Sequence, residues 1–315
     1  MTFKFYSGVM IQTAPSIIPD KGDIGQFYCD NSMIPGKVVI QRFKGEDTPE
    51  TFANTIYMPR AEGKAVMNYV HYNNTNAPLR GFKNLKSVDL QHVPSINNDM
   101  SRVFDGCWNL AEVKNINNQT TSMYQTFRSC TNFNYNVVLP DSVINMDTTF
   151  ASCEKLNQNI HIPSSVVSAD LTFSSCHYLN QKILFPDGLE VMSRTFSDCN
   201  RLNQKIHIPN TVQQMYCTFS GCRLFNQDVD IPASVTNMYG TFLNCNAMSS
   251  RINVYSTEIA NGEKTFVNCN ASKPKQVYIY YKYANGVRTK TYNSCMSSWN
   301  GRNGVTVYDL GTAPW

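Results

Sequence analysis

MDTTFASCEKLNQNIHIPSSV, residues 146–166, decides the fold, because the chain repeats it. Its Thr-Phe-x-x-Cys core, centred on Phe150, returns at Phe127, Phe173, Phe196, Phe219, Phe242 and Phe266. Phe104 joins the series with Val103 in place of Thr. Successive phenylalanines lie 23 residues apart for six intervals and 24 for the last. A fixed period between about 20 and 50 residues marks a solenoid or propeller, in which each unit buries its apolar face against its neighbours.

Within one unit the spacing suggests two halves. Met146, Phe150, Cys153 and Leu156 follow at four, three and three residues, which predicts one face of a short helix, α or 3₁₀. Met192, Phe196, Cys199 and Leu202 repeat the pattern, as do Met238, Phe242, Cys245 and Met248. Ile160 and Ile162 then alternate with Asn159 and His161, the period of a strand. Pro140, Pro163, Pro186, Pro209 and Pro232 are expected to end the strands, where a missing N–H costs the ladder little. The dipeptide Asn-Gln at 157, 180, 203 and 226 is placed to cap the bend by bonding to the backbone of the next rung.

Eight of the eleven cysteines, at 107, 130, 153, 176, 199, 222, 245 and 269, hold one repeat position. Cys295 fits a ninth, while Cys29 and Cys217 fall outside. A disulfide framework is the usual reading for a secreted chain. One cysteine per rung points instead to a buried ladder of free thiols, since free Cys packs as a small hydrophobe. Paired C-x2-C spacings are absent, so no zinc site is expected.

Residues 1–76 do not carry the repeat. Short runs of β character separated by Pro and Gly signals read as a small β-rich domain, an attachment module or elaborate cap, with Asn73 to Pro78 as the junction. Residues 77–315 form the solenoid, starting from a degenerate rung at Phe82. The rung at Phe104 lacks the proline and places Lys114 at an otherwise apolar site. After Cys269 the regularity fails. Strands at Val277 to Tyr281 and Val305 to Leu310 are expected, with Thr291, Tyr292 and Cys295 standing in for the Thr-Phe-x-x-Cys core in an aromatic C-terminal cap.

The rung M-x3-F-x2-C-x2-L-N-Q-x-I-x-I-P-x-S-V resembles the BspA-like leucine-rich repeats, and its Met and Asn-Gln elements are similar to related Met-rich repeats of bacterial surface proteins. The resemblance covers residues 82 to about 310. It implies an α/β repeat, a leucine-rich-repeat solenoid of about ten rungs with a parallel sheet on its concave side, here preceded by the small β-rich domain. It also implies adhesion to cells, matrix or other proteins.

Composition narrows the function. The formal net charge is +4 with 16% charged residues, too weak and too evenly spread for a nucleic-acid surface. No run of 18 apolar residues suggests membrane insertion, and the N-terminus MTFKFYSGVMIQTAP lacks the basic-then-apolar order of a signal peptide. There is no GxSxG, P-loop, HExxH or GxGxxG, so no catalytic residue, metal or cofactor is expected. Of the five histidines, His71, His92, His161, His177 and His207, the pair His161 and His207 share one strand position two rungs apart, about 10 Å, too far for one metal.

The positions expected to face outward on the strands vary while the core repeats. They are Asn136 and Val138, Asn159 and His161, Lys182 and Leu184, Lys205 and His207, Asp228 and Asp230, and Arg251 and Asn253. This strip, with Val138 and Leu184 apolar on an exposed face, is the candidate binding surface. The expected protein is non-enzymatic. Its repeat face would meet a host surface protein or glycan, and its N-terminal domain would join other virion or surface proteins, with self-association left open. An N-terminus without an export signal suits a bacteriophage virion component assembled in the host cytoplasm; a cell-surface adhesin or scaffold is the alternative, and an enzyme with its site in residues 1–76 a third.

Overall fold

In the computed structural model the described residues are 98–256, 259–270 and 272–281, the strand segments 3–6, 9–12, 36–40, 63–67 and 85–89, and residues 81, 283–284, 287–288, 299, 301 and 303–312. The junction at Asn73 to Pro78, His71, His92, Cys29 and the segment from Thr291 to Cys295 lie outside them.

A column of phenylalanines runs up the centre of the stack. Phe104, Phe127, Phe150, Phe173, Phe196, Phe219, Phe242 and Phe266 follow one another with ring centroids 5.4–5.8 Å apart and planes within 13°. Stacking of identical units on a fixed period places equivalent side chains over one another, and stacked aromatic pairs gain about 0.5–1.5 kcal/mol each beyond burial. Phe133 and Phe225 take the place of the leucine in their rungs and stack on Phe127 and Phe219 at 4.8 and 4.7 Å. Met, Cys, Leu and the Ile pairs surround the column, fully buried.

The Met-to-Cys half is not a helix, and no helix occurs among the described residues. The N–H groups of Thr149 and Cys153 close turns on the carbonyls of Met146 and Phe150, both at 3.0 Å. The alternate N–H groups leave the rung: Thr148, Phe150 and Ser152 donate to the carbonyls of Asp170, Thr172 and Ser174 in the next unit at 2.7–2.9 Å. Thr148 and Ser152 have φ of 60°, and the same two places are left-handed in every described rung from Arg102 and Gly106 to Lys264 and Asn268. A left-handed residue every fourth position forbids α and 3₁₀ helix alike. The spacing of four, three and three therefore arose from linked turns whose apolar members share one side.

Side chains complete this ladder. Thr149 Oγ1 donates to the Met123 carbonyl of the preceding unit at 2.8 Å, with the Met146 carbonyl at 2.6 Å. Thr126, Thr172, Thr195, Thr218, Thr241 and Thr265 make the same backward bond. The repeat thiols from Cys130 to Cys269 do likewise, Cys153 Sγ meeting the Phe127 carbonyl at 3.0 Å and Cys176 the Phe150 carbonyl at 3.2 Å. The repeat-position cysteines are free and buried. Burial pushes these thiols well above their ordinary range. The cysteine is thus both a small hydrophobe and a weak donor to a spare carbonyl lone pair. At the bend, Asn157 Oδ1 accepts the N–H of Asn180 and Asn180 Oδ1 that of Asn203, both at 2.9 Å, the cap expected of the Asn-Gln pair. Gln227 Nε2 adds a bond to Asn203 Oδ1 at 3.0 Å.

From the rung of Phe127 to that of Phe219 the Ile-x-Ile half alternates buried and exposed, but it is a hydrogen-bonded sheet only toward the two ends. At the first end a parallel sheet joins β3 (Gly36–Ile40), β4 (Gly63–Met67), β5 (Leu85–Asp89) and β6 (Glu112–Lys114) in that order. β1 (Phe3–Tyr6) and β2 (Val9–Gln12) form a separate antiparallel hairpin. At the other end β7 (Val229–Ile231), β8 (Arg251–Val254), β9 (Lys275–Tyr281) and β12 (Val305–Thr312) pair in parallel, with the short β10 (Tyr283–Ala284) and β11 (Val287–Arg288) between β9 and β12 in sequence. From Val137 to Ile208 the equivalent segments make no backbone hydrogen bonds to one another. The expectation of a sheet strand in every rung is therefore corrected. Proline is one reason: Tyr255 occupies the proline place of its rung and its N–H reaches the Ile231 carbonyl at 2.9 Å, a bond that Pro163, Pro186 and Pro209 cannot donate. Strand pairing also crosses the boundary set at residue 76, since β4 and β5 are neighbours in one sheet.

Trp299 closes the far end. Its ring stands edge-on to Phe266 at 5.4 Å and 87°, and Nε1 donates to the Gly262 carbonyl at 2.8 Å. Lys275, at the start of β9, is buried, with Nζ donating to the carbonyls of Asn270, Lys273 and Asn303 at 2.6–2.8 Å, which satisfies an otherwise costly charge.

Candidate binding face and its recess

The core fixes which side chains point outward. Because Val137 and Leu139, Ile160 and Ile162, Ile183 and Phe185, and Ile206 and Ile208 are buried, the residues between and before them face solvent. Asn136, Asn159, His161, Lys182, Lys205, His207, Asp228, Asp230 and Arg251 are all exposed, and Asn253 is half-buried. Val138 and Leu184 stand 84% and 58% exposed, more than any core packing role allows. All twelve residues thus share one face.

Toward β12 the face is bonded to itself. Asp228 Oδ1 accepts the N–H of Arg251 at 2.8 Å, and Asp230 Oδ1 accepts from Asn253 Nδ2 at 2.6 Å. The guanidinium of Arg251 lies 4.1 Å over the ring of Tyr278, which stacks on Tyr308 at 4.9 Å. Register places Asp230, Asn253, Tyr278 and Tyr308 side by side across β7, β8, β9 and β12. The two tyrosines extend the strip beyond the residues found from sequence. Their signal was present in the alternation of VYIYY (277–281), which reads as cap only if the column is not followed outward.

Toward the N-terminal side the face opens into a recess of about 400 Å³. The cause is a one-residue slip in the rung of Phe104. Val113 lies nine residues after its Phe, whereas Val137 lies ten after Phe127. Ile116 then returns to the core where Leu139 would, so two residues, Lys114 and Asn115, bulge between them, with Asn115 at φ 57°. Lys114 is accordingly no intruder at an apolar site; it faces outward and pairs with Glu112 at 2.7 Å. Val113 and Ile116 line the recess with Tyr135 and Val138, and Asn115 and Asn118 stand at it.

The turn half of the rungs carries a second aromatic row. Arg194 lies 4.6 Å over Tyr216, Tyr216 stacks on Tyr239 at 5.2 Å, and Lys264 lies 5.4 Å from the Tyr239 ring centre. Cys217, half-buried between them, is the described thiol outside the ladder; burial raises its pKa, and Arg194, Tyr216 and Lys264 offset that only in part. Among the described residues no group of three or more His, Cys, Asp or Glu is placed to hold a metal ion, and no helix is long and apolar enough to cross a membrane.

The ladder, the aromatic column and the stacked extended segments define a leucine-rich-repeat solenoid. The fold is similar to that of a leucine-rich repeat protein from Bacteroides ovatus, with a TM-score of 0.58 at 17% identity, over 99% of this chain and 77% of that one. Within this class the chain belongs to the family described as Mycoplasma protein of unknown function, DUF285, which matches residues 98–207 and 172–278. No curated protein sequence matches the chain.

Proposed function

We propose that this chain is a non-enzymatic binding protein or scaffold whose partner-contacting surface is the outward strip from Asn136 to Asn253. The observation that carries the reading is the contrast between Val138 and Leu184, 84% and 58% exposed, and the fully buried, near-invariant positions beside them. We read these two apolar side chains, on a face that varies from rung to rung over a repeated core, as contacts of a recognition surface. Solenoids present such continuous faces for this use. The strip offers Lys182, Lys205, His161 and His207 in its middle rungs and Asp228 and Asp230 beyond them, which suits a partner of mixed charge.

A host-surface protein or glycan is the partner expected on this face, with the region before residue 77 joining a larger assembly. That assembly is a virion in the first reading and a cell surface in the second. Immunogold labelling of purified particles and of intact source cells separates the two. The strip itself is tested with Lys182→Glu, Lys205→Glu and Leu184→Asp combined, all at exposed positions outside the hydrogen-bond ladders. Binding of the purified chain to its target cells or particles should fall at least tenfold with the circular-dichroism spectrum unchanged. Unaltered binding by the triple variant would refute the reading.

A further inference from the structure

We infer that the recess between the rungs of Phe104 and Phe127 is a binding site for a neutral saccharide, one unit of a glycan chain lying along the strip. Its size, about 400 Å³, falls within the roughly 300–1,000 Å³ of small-molecule sites. It is formed by a specific departure from the repeat, the two-residue bulge at Lys114 and Asn115, and no other described rung has that bulge at this place. Its lining combines an aromatic residue, Tyr135, and a branched aliphatic, Val138, with the amides of Asn115 and Asn118. Sugars present this same duality, an apolar C–H face flanked by hydroxyls that both donate and accept. An amide side chain matches a hydroxyl because it also does both.

Charge decides against the main rival, an acidic peptide. Lys114, the cation at the recess, is already paired with Glu112 at 2.7 Å. The pair leaves no net charge to attract an anion, and desolvating an ionic ligand there would find no compensating partner. The direction of the chain follows from the strip. Exposed Asn136 and Asn159 continue the line of amides into the next two rungs, and the backbone of the extended segments from Val137 to Ile208 is not taken up by inter-rung pairing. Hydroxyls of successive sugar units can bond to both. The site rests on the reading of this face as a binding surface.

Saturation-transfer NMR on the full chain with maltotriose, cellotriose and diacetylchitobiose, each at millimolar concentration, tests the assignment. At least one should receive saturation from the protein. Tyr135→Ala should abolish it, but Tyr135 also packs against the core, so the deciding variants are Val138→Asp and Asn118→Ala at exposed positions. Each should weaken the transfer at least tenfold with an unchanged circular-dichroism spectrum. The inference is overturned if no saccharide in the set receives saturation, if transfer survives both variants, or if a hexaglutamate peptide binds here in their place. The strip variant at Lys182, Lys205 and Leu184 lies rungs away. If it abolishes cell binding while no saccharide binds, the binding face stands and only the saccharide assignment falls.

Discussion

Replacing Phe173 with alanine should divide the stack into two separately unfolding halves. Phe173 is fully buried, with Phe150 at 5.6 Å and 2° on one side and Phe196 at 5.8 Å and 8° on the other. Truncation of a buried Phe costs about 3–5 kcal/mol through lost transfer energy and the cavity left behind. A ring stacked on both faces belongs at the top of that range, since each stacked pair contributes ~0.5–1.5 kcal/mol of its own. In a stack whose stability is a sum of unit and nearest-neighbour terms, about 5 kcal/mol removed at one interface breaks cooperativity there. Two tryptophans report from opposite sides. Trp108 sits in the rung of Phe104, and Trp299 closes the column on Phe266. Urea unfolding followed by fluorescence in chains keeping one tryptophan at a time should give coincident midpoints with Phe173 intact and separated midpoints with Phe173→Ala. Phe173→Leu, which keeps most of the volume and loses the two ring contacts, should cost about 1–3 kcal/mol. Coincident transitions for the alanine variant, or a loss below about 1 kcal/mol, would show that the column is incidental to cohesion.

Three further outcomes follow from the ladder and its edges. Thiol reagents should label Cys217 in the native protein at mildly alkaline pH while Cys130, Cys153, Cys176, Cys199, Cys222 and Cys245 react only after denaturation, as mass spectrometry of quenched samples would show; rapid native labelling of the six would contradict their burial. Ser175, at φ 60°, should accept glycine with a change within about 1 kcal/mol, the strain relieved offsetting the added chain entropy, whereas Ser175→Val should cost about 2 kcal/mol or more by thermal melting. Burial, and then the neighbouring Asp147 carboxylate, push the Asp170 pKa up. A carboxyl raised on folding favours the folded state when protonated, and that contribution is lost as pH rises through the folded value, so Asp170→Asn should raise the melting temperature at pH 7 and flatten its rise on acidification. An unchanged pH profile would remove Asp170 from the account.

The period, the core list and the outward strip were legible in the sequence because each depends on side-chain type alone. Phe150, Cys153, Ile160 and Ile162 had to be inside together, and their neighbours outside, whatever backbone carried them. The backbone itself was not legible in the same way. Hydrophobic spacing cannot tell a helix from linked turns that bring the same residues to one side. A second signal was available two residues after each Phe, where Gly106, Ser129, Ser152, Ser175, Asp198, Gly221, Asn244 and Asn268 keep to Gly, Ser, Asp and Asn, the residues that favour turns. All eight are left-handed, the conformation for which Gly and Asn are suited and which a helix interior excludes. At Gly221 an added Cβ would stand 2.2 Å from Asp198 Oδ1 of the preceding rung, so that glycine answers a close approach as well. The repeated Thr carried information too, but a hydroxyl that bonds backward across 26 residues leaves no local mark. The recess was hidden for a related reason, since it arises from a slip of one residue that the Phe spacing does not register. Lys114 looked like a defect in the core when the core had moved to Ile116.

The Thr, Cys and Asn bonds all run from one rung to the next, parallel to the stack, and that gives the chain a mechanical character. A load applied between its two ends pulls along these bonds rather than across them and passes through every interface in series, so the rung at either end, held by a neighbour on one side only, yields first. Rungs should peel off one by one, each releasing 23 residues, or about 75–80 Å of slack. A protein holding two bodies together through such an arm would lengthen in steps before it let go.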